Sequence, residues 1–106
     1  MAELKGETPI LDLIASMTAQ SIEASGLDPR SVMLVRLAAL VAIDAPPASY
    51  LLNLGVAGEA GVDEEQVRGV LAAVAPIVGT PRVVAATGNI ARALGIAIEL
   101  ADLEDE

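Results

Sequence analysis

The chain has 106 residues, of which 54 % are hydrophobic and 20 % charged, and its formal net charge at pH 7 is −9. This length fits one small domain, and the acidic excess excludes nucleic acid and anionic membrane surfaces as partners, because both require clustered Lys and Arg. Cysteine and histidine are absent, which excludes disulfides, thiol chemistry, thiolate or imidazole metal sites and the usual general base near neutral pH.

A first helix is predicted over about residues 9–25, because Thr8-Pro9 supplies a polar cap followed by proline at the first helical position. Gly26 is a natural C-terminal stop. The polar residues 1–7 are expected to be loose. Apolar side chains recur at helical spacing on one face of this helix: Ile10, Leu13, Ile14 and Met17.

A second helix, about 29–43, begins with the same signature at Asp28-Pro29 and is apolar almost all round. Such a helix is buried on most sides, so we expect it at the centre of the core. Arg36 lies within it, and a guanidinium in apolar surroundings must find a carboxylate or reach solvent. Asp44 and Glu59 are the candidate carboxylates, and binding of an anionic ligand is the alternative.

The third helix is predicted from the segment Asp44-Ala45-Pro46-Pro47 to about Ala60, with Gly61 as its C-terminal stop. An N-cap aspartate accepts from the N–H two or three residues on, but Pro46 and Pro47 have no N–H. Asp44 is therefore either an exposed turn residue or a carboxylate held for another purpose.

A fourth helix begins at a capping box of Asp63 and Gln66. A fifth, about 81–101, follows the Gly79-Thr80-Pro81 break. The acidic residues 102–106 oppose the helix dipole and are expected to be loose. No strand pattern occurs, so the predicted fold is all-α, with about five helices in a single domain over residues 1–106. The fifth helix has one polar line, expected to face solvent or a neighbouring subunit: Arg82, Asn89, Arg92 and Glu99.

The stretch LLNLGVAGEAGVDEEQVRGVLAAVAPIVGTPRVVAA resembles the carboxymuconolactone decarboxylase family, which includes the alkylhydroperoxidase D-like proteins. The matching features are Ala60-Gly61-Val62, the acidic capping box through Gln66, the Gly79-x-Pro81 break and the alanine-rich helix after it. The resemblance covers about residues 29–98. It implies an alkylhydroperoxidase D-like helical domain that assembles into trimers or hexamers.

The resemblance also implies a site on the third helix. The peroxidase branch of the family has Cys-x-x-Cys-x-x-x-His, whose three positions fall on Pro46, Ser49 and Asn53; the decarboxylase branch has glutamate and histidine where Ser49 and Asn53 stand. Neither set is present. Peroxide reduction needs an attacking and a resolving thiol, and lactone decarboxylation needs a proton-transfer group, which asparagine is not. We therefore expect a degenerate active site without thiol peroxidase activity.

A pocket, if retained, is expected around the third helix, where Ser49 and Asn53 share a face one turn apart. The candidate pocket residues are Arg36, Asp44 and Tyr50. Each also has an ordinary structural interpretation, such as a paired arginine, an exposed turn residue or a tyrosine covering the core. No metal site or cofactor is expected.

These observations favour a homo-oligomeric protein without thiol redox chemistry or other enzymatic activity that binds a small organic ligand. One alternative is a non-redox enzyme that acts on a lactone or related molecule through Tyr50, Asp44 or a bound water. Another is a structural assembly or partner-binding subunit. Self-association is expected because helices two and five leave more apolar surface than a small domain can hide. No apolar run reaches the length of a membrane span and the N-terminus lacks a signal peptide, so we expect a cytoplasmic location.

Overall fold

The computed structural model describes the backbone of residues 8–105 and the side chains of residues 8–95. The expectations for residues 1–7 and for residue 106 lie outside this range. No strand occurs within it, which confirms the all-α prediction. The five helices are α1 (Pro9–Ser25), α2 (Pro29–Ala42), α3 (Pro47–Glu59), α4 (Glu64–Val78) and α5 (Thr80–Asp105).

Local side-chain chemistry explains where α2 and α4 begin. The Asp28 carboxylate accepts from the backbone N–H of Ser31 at 3.2 Å and from its hydroxyl at 2.7 Å, and the hydroxyl and backbone hydrogen bonds lower the pKa of Asp28. At α4 the capping box is complete: Asp63 accepts from the Gln66 N–H at 2.8 Å, and the Gln66 side chain accepts from the Asp63 N–H at 3.1 Å. Both starts were therefore readable from the sequence.

The two ends of the described chain differ from expectation. Thr8 precedes α1 but makes no side-chain cap to the backbone; its hydroxyl donates to the Asp12 carboxylate at 3.3 Å. At the other end, α5 continues to Asp105, past the predicted end at residue 101 and through most of the acidic segment expected to be loose. Its last ten residues contain no glycine or proline, and six of them are Leu, Ala or Glu, whose helix propensity opposes the unfavourable dipole interaction.

The core lies between α2, α3, α4 and α5. Helix α3 packs against α5, and α2 packs against both α3 and α4. Helix α2 contributes more fully buried side chains than α3 or α4, as expected for a central helix. The core is aliphatic except for one tyrosine, and its buried hydrophobic residues are Val32, Met33, Leu37, Val41, Ala45, Tyr50, Ala57, Val62, Ala86, Ile90 and Ala93.

Helix α1 stands apart from this core. It contacts α2 alone among the described helices, and none of its residues is buried. The radius of gyration is 15.2 Å, against about 13 Å for a compact domain of about 100 residues. Within the residues searched, no helix has the length and apolar character needed to cross a bilayer. The apolar stripe of α1 is left largely exposed: Ile10 is 71 %, Leu13 58 %, Ile14 50 % and Met17 58 % accessible.

Candidate functional site

Asp44 occupies a position that is usually reserved for glycine. The N–H of Ala45 donates to the Leu40 carbonyl at 3.0 Å, and the N–H of Asp44 donates to the Val41 carbonyl at 3.2 Å. This pair of bonds is the Schellman motif that ends α2, with Asp44 as its left-handed residue at φ 56°. The exposed carboxylate therefore belongs to a turn, which is the first of the two interpretations that the sequence left open.

The end of α3 has the same motif with glycine in the corresponding place. Val62 N–H donates to the Ala57 carbonyl at 2.9 Å and Gly61 N–H to the Gly58 carbonyl at 3.1 Å, with Gly61 at φ 92°. Gly61 was predicted as a helix stop from the sequence, but Asp44 was not recognised as its counterpart. The available signal was that short Asp and Asn side chains tolerate the left-handed region better than most residues.

The polar line of α5 is used within the chain. Arg82 donates to the carbonyl of Ala42 at the C-terminal end of α2, and the Asn89 amide donates to the Ala45 carbonyl at 3.2 Å. Arg92 in turn donates to the Asn89 side-chain oxygen at 2.9 Å. These groups attach α5 to the α2–α3 corner, which the sequence did not predict, although Arg82 and Arg92 are exposed as expected for a solvent-facing line. Glu99, the fourth predicted member, lies outside the described side chains.

The three positions that the resemblance singles out lie at the N-terminal end of α3. Pro46 is the exposed N-cap, while Ser49 and Asn53 are half-buried and one turn apart. The Asn53 amide donates to the Ser49 backbone carbonyl at 2.8 Å, so it is bound to its own helix. None of these three side chains ionises near neutral pH, and the arrangement can offer hydrogen bonds but no acid–base catalysis.

Tyr50 does not line an open site. Its side chain is fully buried at 0 % exposure, and within the described residues its hydroxyl makes no hydrogen bond. Burial, and secondarily the Asp44 carboxylate, raises the pKa of the Tyr50 phenol above 10.0. The tyrosine that was proposed as a pocket residue is therefore part of the core, and its hydroxyl is not accessible to a ligand.

Arg36 lies on another side of the molecule. Its half-buried guanidinium donates to the backbone carbonyl of Thr18 in α1 at 3.3 Å. This backbone carbonyl takes the place of the expected carboxylate partner, Asp44 or Glu59, both of which are exposed. The residues Arg36, Asp44 and Tyr50 therefore do not converge on one pocket.

The model of the carboxymuconolactone decarboxylase family matches residues 9–92. The chain belongs to the carboxymuconolactone decarboxylase family. The match begins at α1, which the sequence resemblance did not include, so the peripheral helix is part of the family domain. No curated protein and no solved structure matches the chain.

An apolar cleft between α3, α4 and α5 was not predicted from the sequence. The cleft has a volume of about 300 Å³, and Val67 and Leu71 of α4 are among its lining residues. Leu54 of α3 lines the cleft. The adjacent residue, Asn53, is one of the three family positions described above. Periodicity alone finds a buried face; it does not show where that face fails to close against its neighbours.

Proposed function

We propose that this carboxymuconolactone decarboxylase family member is a homo-oligomeric, small-molecule-binding protein that has no thiol redox chemistry. The observation that carries the proposal is the state of the family site. Asn53 stands where both branches of the family have histidine, and its amide is bound to the Ser49 carbonyl. With no cysteine in the chain, a thiolate–disulfide cycle has no participating atoms.

A peroxidase assay tests the chemical part of the proposal. The purified chain, given a hydroperoxide and a dithiol reductant, should consume peroxide at the rate of the same mixture without protein. Catalytic turnover by protein that is free of metal and flavin would contradict the proposal. A variant that carries Ser49→Cys serves as a control for accidental thiol reactivity at the family position.

The exposed stripe of α1 supports self-association. Four aliphatic side chains on one face remain at least half exposed, and a contiguous apolar patch of this kind is uncommon on soluble monomers. Burial of each such side chain against a second copy would contribute about 1–2 kcal/mol. The sequence had placed the surplus apolar surface on helices two and five, whereas in the described chain α1 has more exposed large hydrophobic side chains than any other helix. A trimer or hexamer is what the family resemblance implies.

Light scattering at micromolar concentration tests the assembly, and a pair of α1 variants tests the surface. Leu13→Glu adds one charge to the stripe, while Ser16→Glu adds the same charge to the exposed polar face of the same helix. We expect Leu13→Glu to lower the molar mass and Ser16→Glu to leave it unchanged. A wild-type chain that scatters as a 10.8 kDa species would refute self-association.

The non-redox enzyme remains the second candidate, and Asp44 is the observation that favours it. An aspartate in the left-handed region stores backbone strain of up to about 1 kcal/mol, and such strain clusters at functional sites. If Asp44 is catalytic, Asp44→Asn should abolish turnover of a lactone while it preserves the fold. Wild-type protein that neither turns over lactones nor shifts in melting temperature with ligands, yet remains oligomeric, would favour the structural-subunit alternative.

A further inference from the structure

The cleft between α3, α4 and α5 is a built apolar cavity that opens at one side. Its volume of about 300 Å³ lies at the lower end of the range of small-molecule sites, roughly 300–1,000 Å³. Ile90 forms part of the buried floor, and Leu94 at the mouth is 46 % exposed. Six aliphatic side chains contribute its apolar lining: Leu54, Val62, Val67, Leu71, Ile90 and Leu94.

The polar groups at the mouth are already engaged with one another. The Asp63 carboxylate accepts from the Gln66 N–H, Glu64 pairs with Arg68, and the Thr87 hydroxyl donates to the carbonyl one turn earlier at 3.0 Å. The N-terminus of α4 would attract an anion, but Asp63 and Glu64 occupy that position with their own negative charges. The mouth thus has two carboxylates against one guanidinium.

We infer that this cleft binds an uncharged apolar organic molecule and discriminates against organic anions. Burial of an apolar molecule against the aliphatic lining is favourable. A neutral molecule leaves no polar group at the mouth without a partner, because those groups already bind one another. An anionic group would meet two carboxylates and a guanidinium that is already paired. The inference rests on the proposal that the chain binds a small organic molecule; it places the site away from Ser49 and Asn53 and specifies the ligand class.

Two fluorescent probes with the same ring system test the ligand class. N-phenyl-1-naphthylamine is neutral, and 1-anilinonaphthalene-8-sulfonate has the same rings with one sulfonate. We expect the neutral probe to bind the wild-type chain at least about tenfold more tightly than the sulfonate, which corresponds to about 1.4 kcal/mol. Equal affinity, or tighter binding of the sulfonate, would overturn the inference.

The place of binding is tested on α5. Leu94→Glu puts a charge at the mouth of the cleft, whereas Val84→Glu puts the same charge on an exposed position roughly three turns earlier on the same helix. Both positions are exposed enough for the fold to accept the change. Leu94→Glu should weaken the neutral probe about tenfold or more, and Val84→Glu should leave its affinity unchanged. Wild-type affinity in both variants would show that the cleft is not the site.

The charge at the mouth is tested with a matched pair on α4. Glu64→Lys and Glu65→Lys change the net charge equally and lie in the same first turn, but only Glu64 lines the cleft. We expect Glu64→Lys to tighten the sulfonate probe several-fold and Glu65→Lys to have no such effect. An identical response of the two variants would mean that net charge, not the cleft, governs the binding.

The outcomes separate this inference from the broader proposal. If the neutral probe fails to bind the wild-type chain, the inference is overturned. If Leu94→Glu dissociates the oligomer, the inference is also overturned, and the cleft is a subunit contact. The proposed small-molecule binding falls separately, if lactones and other small organic molecules also leave the melting temperature unchanged.

Discussion

Replacement of Tyr50 by phenylalanine should stabilise the protein. The side chain is fully buried, and its hydroxyl has no hydrogen-bond partner among the described residues. Tyr50→Phe keeps the ring in the core and removes only the oxygen. Because an unsatisfied buried polar group costs about 1–3 kcal/mol, we expect the free energy of unfolding to rise by a similar amount.

The assay is urea denaturation followed by circular dichroism at one fixed subunit concentration, since self-association makes stability depend on concentration. For a domain of this size, each kcal/mol corresponds to roughly 4–8 °C in melting temperature, so a thermal scan should agree. Tyr50→Leu is the control: it also removes the hydroxyl but leaves a void where the ring was, and should destabilise. A clear loss of stability in Tyr50→Phe would refute the reasoning and indicate that the hydroxyl is satisfied by solvent or a neighbouring subunit.

Four other changes test the helix ends, the α1 contact and the buried phenol. Gly61→Ala should lower the free energy of unfolding by about 1–3 kcal/mol, because it places a side chain at φ 92° with its Cβ 3.1 Å from the Arg30 guanidinium. Asp44→Gly should raise the free energy of unfolding by up to about 1 kcal/mol, because glycine adopts the left-handed backbone conformation without strain. Urea midpoints measure both changes. Arg36→Met should lower it by only about 0.5–1.5 kcal/mol, since it removes one hydrogen bond from a half-exposed guanidinium to a backbone carbonyl, and a loss above 3 kcal/mol would indicate a buried ion pair instead. The folded-state pKa of Tyr50 lies above its ordinary value of 10.0, so the phenol ionises more readily in the unfolded chain. This stabilisation of the folded state is complete below pH 10 and is lost as the pH rises through the folded-state pKa. The urea midpoint should fall in that alkaline range, and Tyr50→Phe should remove that part of the fall.

Features that depend on neighbouring residues in the sequence were predictable. The caps at Asp28 and Asp63 and the glycine stops at Gly26 and Gly61 require only local hydrogen bonds and local backbone geometry, and all four appear in the structure. The central place of α2 followed from its apolar surface. The family and the all-α fold were therefore accessible from the sequence.

Features that depend on the packing of one helix against another were not predictable from the sequence. The apolar stripe of α1 was predicted, but its exposure was not, and it follows from the contact of α1 with α2 alone. Arg36 was expected to find a carboxylate or reach solvent, and in the structure its half-exposed guanidinium donates to a backbone carbonyl in α1. The cleft is lined by residues of three helices, and the sequence of one helix does not show how that helix packs against the others.

The isolation of α1 has a consequence for how much of the chain is folded at a given concentration. This helix has 17 residues and none of them is buried, so it is only slightly longer than the roughly 12–15 residues below which isolated helices are marginal in water. In a single subunit its amide hydrogens should exchange through local opening, well before those of α2. If association covers the stripe, far-UV ellipticity and the protection of the α1 amides will fall together on dilution, while the α2 amides stay protected. The number of associated copies then determines whether α1 is folded.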